Sequence, residues 1–310
     1  MALPGWPAQN PVAVAKTSRH SGTVDICCTD DPSVFADLAA DFLRADPFST
    51  NVIGVHTAAI IGGRRPRGAD NLWAVVSSAG QVVGVAMHTP PHNLFVSRMG
   101  PEAASRLAGV IADLGRPVPG VNGEASAVLA FCDSWVAITG EISTLAMAMW
   151  MYRLGRLRYP SGVPGYSRPA GQGDLELLRD WFSDFQSEAE PHRHTDDAGA
   201  LAEQRLASSE LILWFVDGEP VSLAGCSSPA NGTARVGPVY TPPAHRRRGY
   251  GAAVTSSATA MAGEKGAIQV VLYTDAANPT SNSIYQSIGF VVDHEAAERR
   301  FVHERVGEAK

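Results

Sequence analysis

The chain has 310 residues, of which 45% are hydrophobic and 18% charged, a composition typical of a globular protein with two domains that each bury a core. Its net charge of −6 argues against general nucleic-acid binding, and no run approaches the ~20 apolar residues of a membrane-spanning helix. The four cysteines have neither disulfide nor metal-ligand spacing, which predicts reduced thiols and a cytoplasmic protein.

The first half of the chain alternates predicted helices and strands. Residues 1–22 lack the apolar segment of a signal peptide, so we expect a flexible tail before a domain at 23–158. The predicted elements of this domain are a helix at 32–45, a hairpin of 72–77 and 81–88, a helix at 101–114, a strand at 127–132 and a closing segment at 144–157.

A segment rich in proline and glycine, residues 159–166, predicts a linker to a second domain at 167–310. Apolar spacing in this domain indicates an amphipathic first helix, and Asp217-Gly218 is a typical hairpin turn. The predicted elements are helices at 174–188 and 197–209, a hairpin of 211–216 and 221–227, a strand at 235–241, a helix at 252–262, a strand at 269–274, a helix at 280–288 and a closing segment at 299–306.

The loop between the strand at 235–241 and the helix at 252–262 contains the pattern R-x-x-G-x-G. The first N–H groups of a helix have no internal partner, and together with the helix dipole they attract anions. Two glycines let the backbone approach a bulky group, and the consecutive Arg246, Arg247 and Arg248 can fork onto phosphate oxygens. The loop therefore predicts a pyrophosphate-binding site, although a loop of solvated arginines would have the same pattern.

A second pattern, N-x-x-S-x-x-I-Y-x-x-x-G-F, runs from Asn278 to Phe290. The order of strand, R-x-x-G-x-G, helix, strand and this second pattern resembles the GNAT superfamily of acyl-CoA-dependent N-acetyltransferases. The resemblance covers residues 167–306 and implies an α+β fold, with a mixed, mostly antiparallel sheet flanked by helices. It also implies direct transfer of an acetyl group from acetyl-CoA, as co-substrate, to a primary amine of a small molecule, without a metal.

The resemblance also implies which residues bind acetyl-CoA. In the superfamily, the strand equivalent to 235–241 carries a bulge that splays it from the strand at 269–274 and opens a slot for the pantetheine arm. Backbone N–H groups along the slot bond the arm, and one of them faces the oxyanion. Asn278 has the alternative role of an ordinary helix N-cap. The residues expected to bind acetyl-CoA are Val239, Tyr240, Thr241, Arg246, Arg247, Arg248, Gly249, Tyr250, Gly251, Ala252, Thr274, Asn278, Ser281 and Tyr285.

Tyr285 matches the general acid of the superfamily. In direct transfer an amine attacks the thioester, a tetrahedral oxyanion forms and the CoA thiolate leaves. A phenol with a pKa of ~10 still holds its proton at neutral pH and can give it to the departing thiolate. The alternative is that Tyr285 is a core aromatic on the apolar side of the last helix.

The general base is harder to assign. Many GNAT enzymes place a glutamate on the strand before the arginine–glycine loop, but residues 233–241 contain no carboxylate. Glu188 is the first choice and His194 the second, because the region between the first two helices lines the acceptor site in this superfamily. A solvated polar loop is the alternative for each, and His192-x-His194 without a second ligand pair predicts no metal site. The remaining candidates of this region are Glu190, His192, Asp196 and Asp197.

The N-terminal half repeats the order of elements, which predicts a duplicated and degenerate GNAT-like domain. Its strand-to-helix junction at 99–102 has no arginine–glycine loop, and Arg106 to Gly109 lies inside a predicted helix, so we expect a single acetyl-CoA site. The competing prediction is a non-catalytic acyl-CoA-binding or sensing module. A cysteinyl amino-sugar acceptor, as in the mycothiol synthase branch, is an alternative acceptor. We expect a monomer or homodimer with neither nucleic-acid nor membrane partners.

Overall fold

All strands of residues 24–189 and 197–302 lie in one continuous sheet. The structure, a computed structural model, describes residues 24–189 and 197–302, so the predicted tail at 1–22 lies outside the described residues. Within these ranges, twelve strands form a mixed sheet with helices on both faces, which confirms the predicted fold class. No helix among them is long and apolar enough to cross a membrane.

The N-terminal half contributes six strands and five helices to the described residues. They are β1 (Val24–Thr29), α1 (Pro32–Leu38), α2 (Ala40–Ala45), α3 (Asn51–Ile61), β2 (Leu72–Ser78), β3 (Gln81–His88), β4 (Leu94–Val96), α4 (Pro101–Asp113), β5 (Gly120–Glu124), α5 (Ala125–Thr139) and β6 (Ile142–Leu154). The predicted helix at 32–45 is divided at Ala39, and α3 was not predicted.

The strand predicted at 127–132 is wrong, because these residues lie inside α5. Ala127, Val128, Phe131 and Cys132 are buried at helical spacing, and their apolar run is short enough to resemble a buried strand. The Glu124 carboxylate accepts a hydrogen bond from Ala127 N at 2.9 Å and caps the helix. The strand that should precede this helix is β5, whose two glycines weaken its strand pattern.

The C-terminal half follows the predicted order more closely. Its elements are β7 (Tyr166–Pro169), α6 (Leu175–Ala189), α7 (Ala198–Ala207), β8 (Leu211–Val216), β9 (Glu219–Cys226), β10 (Thr233–Tyr240), α8 (Tyr250–Glu264), β11 (Gln269–Asp275), α9 (Pro279–Ser287) and β12 (Phe290–Val302). The closing segment predicted at 299–306 is part of a longer strand that begins at Phe290. The first strand of this half begins at Tyr166, the last residue of the predicted linker.

The two halves exchange their last strands. The order across the sheet is β1-β2-β3-β4-β5-β12-β6-β11-β10-β9-β8-β7. The last strand of the C-terminal half, β12, therefore pairs with β5 of the N-terminal half, and β6 pairs with β11 of the C-terminal half. These two strands have 13 residues each and pair with one another along the seam. The halves are repeats of one fold, but each is completed by a strand from the other.

Alternation along the strands supplies both faces of the sheet with apolar side chains. On β2, Leu72, Ala74 and Val76 pack toward α4 and α5, whereas Trp73 and Val75 pack toward α1 and α3. The C-terminal half is arranged in the same way, with α8 on one face and α6 and α7 on the other. Helices thus pack on both faces of the sheet in each half.

Two tyrosines cross the seam between the halves. Tyr152 of β6 is buried in the C-terminal core beside Ile288 and Phe290. Tyr273 of β11 packs against the helical core of the N-terminal half, and its hydroxyl accepts a hydrogen bond from Asn51 Nδ2 at 3.1 Å. Side chains of each half therefore complete the core of the other.

Candidate functional site

The strands β10 and β11 diverge halfway along their length. They pair in parallel only where residues 233–235 face residues 269–271, and β10 then continues to Tyr240 without this partner. On its other side, β10 shifts register against β9 between Val236 and Val239. A bulge of this kind bends the strand that carries it. The divergence that the resemblance implied is therefore present, and it opens a gap between the two strands.

The backbone of β10 presents its polar groups to this gap in alternation. Tyr240 O accepts a hydrogen bond from Ser222 Oγ of β9 at 3.1 Å, so Tyr240 is turned toward β9. The N–H and C=O of one strand residue point to the same side, and those of its neighbours point to the other. Of the three N–H donors predicted here, Val239 is therefore directed to the gap and Tyr240 is not, whereas Thr241 follows the end of β10, where this alternation no longer applies.

The N-terminus of α8 lies next to the end of β10. Gly249 has a φ of +82°, a backbone conformation that glycine adopts readily, and it precedes the first helical residue. The first N–H that bonds back is that of Ala253, which donates to Gly249 O at 3.0 Å. The N–H groups of Tyr250, Gly251 and Ala252 have no partner within the helix, and with its dipole they can hold an anion.

The three arginines before this helix have different environments. Arg246 donates from Nε to Thr241 O at 2.8 Å and forms an ion pair with Glu188 at 2.5 Å. Arg247 and Arg248 are exposed, and neither forms an ion pair within residues 24–189 and 197–302. Two arginines, rather than the three that the pattern suggested, are therefore available to phosphate oxygens.

Two carboxylates of α6, those of Asp184 and Glu188, lie near the Tyr240 side chain at the end of β10. The Tyr240 hydroxyl donates to Asp184 Oδ2 at 3.2 Å and lies 3.5 Å from Glu188 Oε1. Burial, followed by the charges of Glu188 and Asp184, raises the pKa of this hydroxyl to about 12. Glu188, the expected base, is thus placed at the end of β10. Asp184 was missed by the sequence reasoning, although its spacing of four residues from Glu188 puts both on one face of α6.

Of the other candidates for the base, only Asp197 is among the described residues. Asp197 is the N-cap of α7 and accepts hydrogen bonds from Gly199 N and Ala200 N. Glu190, His192, His194 and Asp196 lie outside the described residues.

Tyr285 is half-buried on α9 at the edge of the C-terminal core. Its ring lies 6.3 Å from that of Phe290 and 6.4 Å from that of Tyr152, measured between centroids. Its hydroxyl forms no hydrogen bond with the residues that the structure describes. Burial raises the pKa of this hydroxyl to about 12, so it is protonated at neutral pH. The ring thus packs as a core aromatic while the hydroxyl is left for another partner.

The remaining residues expected at the site border the gap or begin α9. Thr274 is buried on β11, the strand across the gap from β10. Asn278 Oδ1 accepts a hydrogen bond from Ser281 N at 3.0 Å and caps α9, which is the structural role that the sequence also allowed. These contacts fix the loop between β11 and α9.

The corresponding place in the N-terminal half is closed. β4 has only three residues, and all three pair with β5. A Cβ on Gly123 would lie 2.0 Å from Val96 O, so the two strands approach closely where a gap would be needed. The helix that follows begins with Pro101, which has no N–H, and with the acidic Glu102. This half has neither the gap nor the anion site.

Comparisons with known proteins agree with this geometry. Residues 175–290 match the Acetyltransferase (GNAT) family. No curated protein matches the chain. Among solved structures, a GNAT-family acetyltransferase from Colwellia psychrerythraea is 13% identical with a TM-score of 0.53, covering 90% of this chain and 100% of that one. A GCN5-related N-acetyltransferase from Sphaerobacter thermophilus is 16% identical with a TM-score of 0.56, covering 92% and 97%.

A third similar structure is a Drosophila protein, 10% identical with a TM-score of 0.64 over 87% of this chain and 96% of that one. At such identities the likeness shows the fold alone. Because each of these matches covers most of both chains, the arrangement of both halves, and not only of the C-terminal one, recurs in other proteins.

Proposed function

We propose, from the membership of residues 175–290 in the GNAT family of acetyltransferases, that this protein moves an acetyl group from acetyl-CoA to a primary amine of a small molecule. Acyl transfer is the general chemistry of that family. The observation that carries the proposal is the gap between β10 and β11, which opens beside the free N–H groups of α8.

Acetyl-CoA would be held both at the N-terminus of α8 and in the gap between β10 and β11. The N–H groups of residues 250–252 and the exposed Arg247 and Arg248 suit a pyrophosphate, since backbone donors, helix dipole and two guanidinium groups act together. The N–H of Val239 suits an amide oxygen of the pantetheine arm in the gap. The acetyl group would then lie near the end of β10.

The acceptor amine would approach from the side of α6. An amine with a pKa of ~10.4 must lose a proton before it attacks, which costs about 4 kcal/mol near about pH 7.4. Glu188 remains the proposed base, and Asp184 shares the Tyr240 hydroxyl with it. The two carboxylates also favour the approach of a cationic amine.

Tyr285 would protonate the thiolate as it leaves. Its hydroxyl is protonated at neutral pH, because burial raises its pKa to about 12, and no described residue takes up its proton. General-acid help of this kind is worth ~10²–10⁴-fold in rate.

A non-catalytic acyl-CoA-binding module is the second candidate function. It is favoured by the ion pair between Glu188 and Arg246, which occupies the expected base in this structure. Such a module would bind acetyl-CoA in the same gap but would transfer nothing.

One experiment separates the two candidates. Full-length protein is titrated with acetyl-CoA by calorimetry and then assayed for thiol release with a panel of primary amines. Binding with amine-dependent thiol release supports the transferase, and binding without release by any amine supports the module. Absence of binding contradicts both.

A further inference from the structure

The helix that carries Tyr285, α9, is held in place by polar contacts rather than by buried apolar side chains. None of the nine residues of α9 is buried, and only Ile284 and Tyr285 pack against the C-terminal core. A short helix with so little apolar burial is positioned by its hydrogen bonds. The contacts of α9 with its surroundings therefore decide where the Tyr285 hydroxyl lies.

Two of these contacts come from the N-terminal half. Tyr152, on the exchanged strand β6, is 1% exposed. Its hydroxyl donates to Asn282 Oδ1 at 3.2 Å and accepts from Gln286 Nε2 at 2.9 Å. Asn282 and Gln286 are four residues apart, so they lie on one face of α9 on either side of Tyr285 in the sequence.

The same network reaches the loop between β11 and α9. The Asn282 side-chain amide donates to Asn278 O at 2.7 Å and to Asp275 O at 3.1 Å. Asp275 is the last residue of β11, the strand that borders the gap, and Asn278 is the N-cap of α9. One buried phenol of the N-terminal half thus ties together the border of the gap and the helix of the proposed acid.

We propose that Tyr152 is a positioning residue for Tyr285, and that the N-terminal half completes the catalytic site although it has no acetyl-CoA site of its own. The inference rests on the proposed acetyl transfer with Tyr285 as general acid. The Tyr152 hydroxyl holds α9 through Asn282 and Gln286, and its ring packs near that of Tyr285. It touches neither substrate, so its effect on the reaction passes through α9.

The test begins with Tyr152→Phe in the full-length protein, which keeps the ring and removes the hydroxyl. We expect kcat to fall about 10- to 100-fold, because small displacements of a reacting group cost rates of this order. The acetyl-CoA Kd should change less than the turnover does, since the Tyr152 hydroxyl bonds to α9 and not to the N-terminus of α8.

Tyr273→Phe is the matched control. Tyr273 is a partly buried phenol that also crosses the seam, but its hydroxyl bonds to Asn51 and not to α9. We expect its kcat to stay near that of the unaltered protein. An equal loss in both variants would overturn the inference, because it would indicate a general effect of weakening the seam.

A double-mutant cycle provides the decisive readout. If Tyr152 acts through Tyr285, Tyr152→Phe should have little further effect on kcat in a Tyr285→Phe background. A full and independent loss in that background would overturn the inference. Should Tyr152→Phe fail to fold, Gln286→Met removes one bond to the same phenol from an exposed position and takes its place in the cycle.

The outcomes distinguish this inference from the proposed function. If Tyr285→Phe slows turnover but Tyr152→Phe and Gln286→Met do not, the inference fails and the proposed function stands. If the unaltered protein releases no thiol with any amine, the proposed function fails and the inference fails with it.

Discussion

The junctions between β4 and α4 and between β10 and α8 have the same place in the two repeats but different local chemistry. In the C-terminal half, a bulge and a long β10 leave the strands unpaired beside a helix that begins with glycine and free N–H groups. In the N-terminal half, β4 ends after three residues and its helix begins with proline and glutamate. A few residues thus distinguish the junction that carries the proposed acetyl-CoA site from the closed one, while the fold is kept.

The half without the proposed site is nevertheless joined closely to the other half. β6 and β12 are exchanged, and Tyr152 and Tyr273 cross the seam in opposite directions. The N-terminal half therefore contributes a strand, a part of the core and two contacts of α9 to the half that carries the proposed site.

The largest effect is expected from separating the halves. We expect residues 24–158 and 159–302 expressed alone to show no cooperative unfolding transition by circular dichroism, because each lacks the exchanged strand of the other. β6 pairs with β11 over 149–153, and β12 pairs with β5 over 296–300.

Co-expression is the control for this separation. The two halves together should form a complex that unfolds cooperatively and elutes at the size of the intact chain. Halves that each unfold cooperatively alone would show that the exchange is not required for folding.

The next largest effect is expected from Tyr285→Phe. Turnover should fall by ~10²–10⁴-fold, the usual worth of general-acid help, while the affinity for acetyl-CoA stays nearly unchanged. Steady-state kinetics with calorimetry of acetyl-CoA binding measures both. Full turnover in this variant, with chemistry shown to be rate-limiting, would make Tyr285 a structural residue.

The pH profile gives an independent check on the same residue. Burial raises the pKa of Tyr285 to about 12, so the acid form persists well above neutral pH and is lost only as the pH approaches that value. Any fall in kcat at moderately alkaline pH should therefore remain in Tyr285→Phe. A fall that disappears in this variant would contradict the raised pKa.

A smaller effect is expected from the exposed arginines. Arg247→Ala and Arg248→Ala should each weaken acetyl-CoA binding by about 1–2 kcal/mol, as expected for a charge-assisted hydrogen bond at an exposed site. Arg106→Ala in α4 is the matched control, because Arg106 belongs to the similar pattern in the closed half. Calorimetry that gives equal losses for Arg106 and Arg247 would indicate a diffuse charge effect instead of a site.

The smallest effect is expected from Gly251→Ala. An added Cβ would lie 3.5 Å from Thr241 Oγ1, which is an ordinary contact, so the protein accommodates it. A pyrophosphate bound close to the backbone would be obstructed by the same Cβ. We expect a loss of about 1 kcal/mol in acetyl-CoA affinity, the low end of the cost of overpacking. Gly249 is unsuited to this test, since its Cβ would lie 2.8 Å from Val163 and its φ is positive.

Gly263→Ala is the control on the same helix. Its Cβ meets no atom within 4 Å, so it should keep full affinity and gain some helix stability. If both alanine variants bind acetyl-CoA as the unaltered protein does, the ligand does not approach Gly251 closely.

The sequence was most informative where local chemistry decides the structure. The arginines and glycines before α8, the turn at Asp217-Gly218 and the apolar spacing of α6 each belong to one element, and these elements were predicted correctly. The short apolar run of α5 was not, because a buried strand and a buried helix share that pattern.

The features that depend on distant contacts were beyond the sequence. Nothing within β6 or β12 indicates that each joins the other half, since pairing depends on tertiary neighbours. The contact of Tyr152 with Asn282 joins residues 130 positions apart. The role of Asp184 was also not predicted, because its approach to Tyr240 depends on the packing of α6 on β10.

The number of acetyl-CoA molecules bound per chain tests the central claim most directly. Calorimetric titration of the full-length protein should give one acetyl-CoA site per chain. Arg247→Ala and Arg248→Ala, made together, should lower the affinity of that site without exposing another. Two sites per chain, or a site unaffected by both substitutions, would contradict the assignment of acetyl-CoA binding to the gap between β10 and β11 alone.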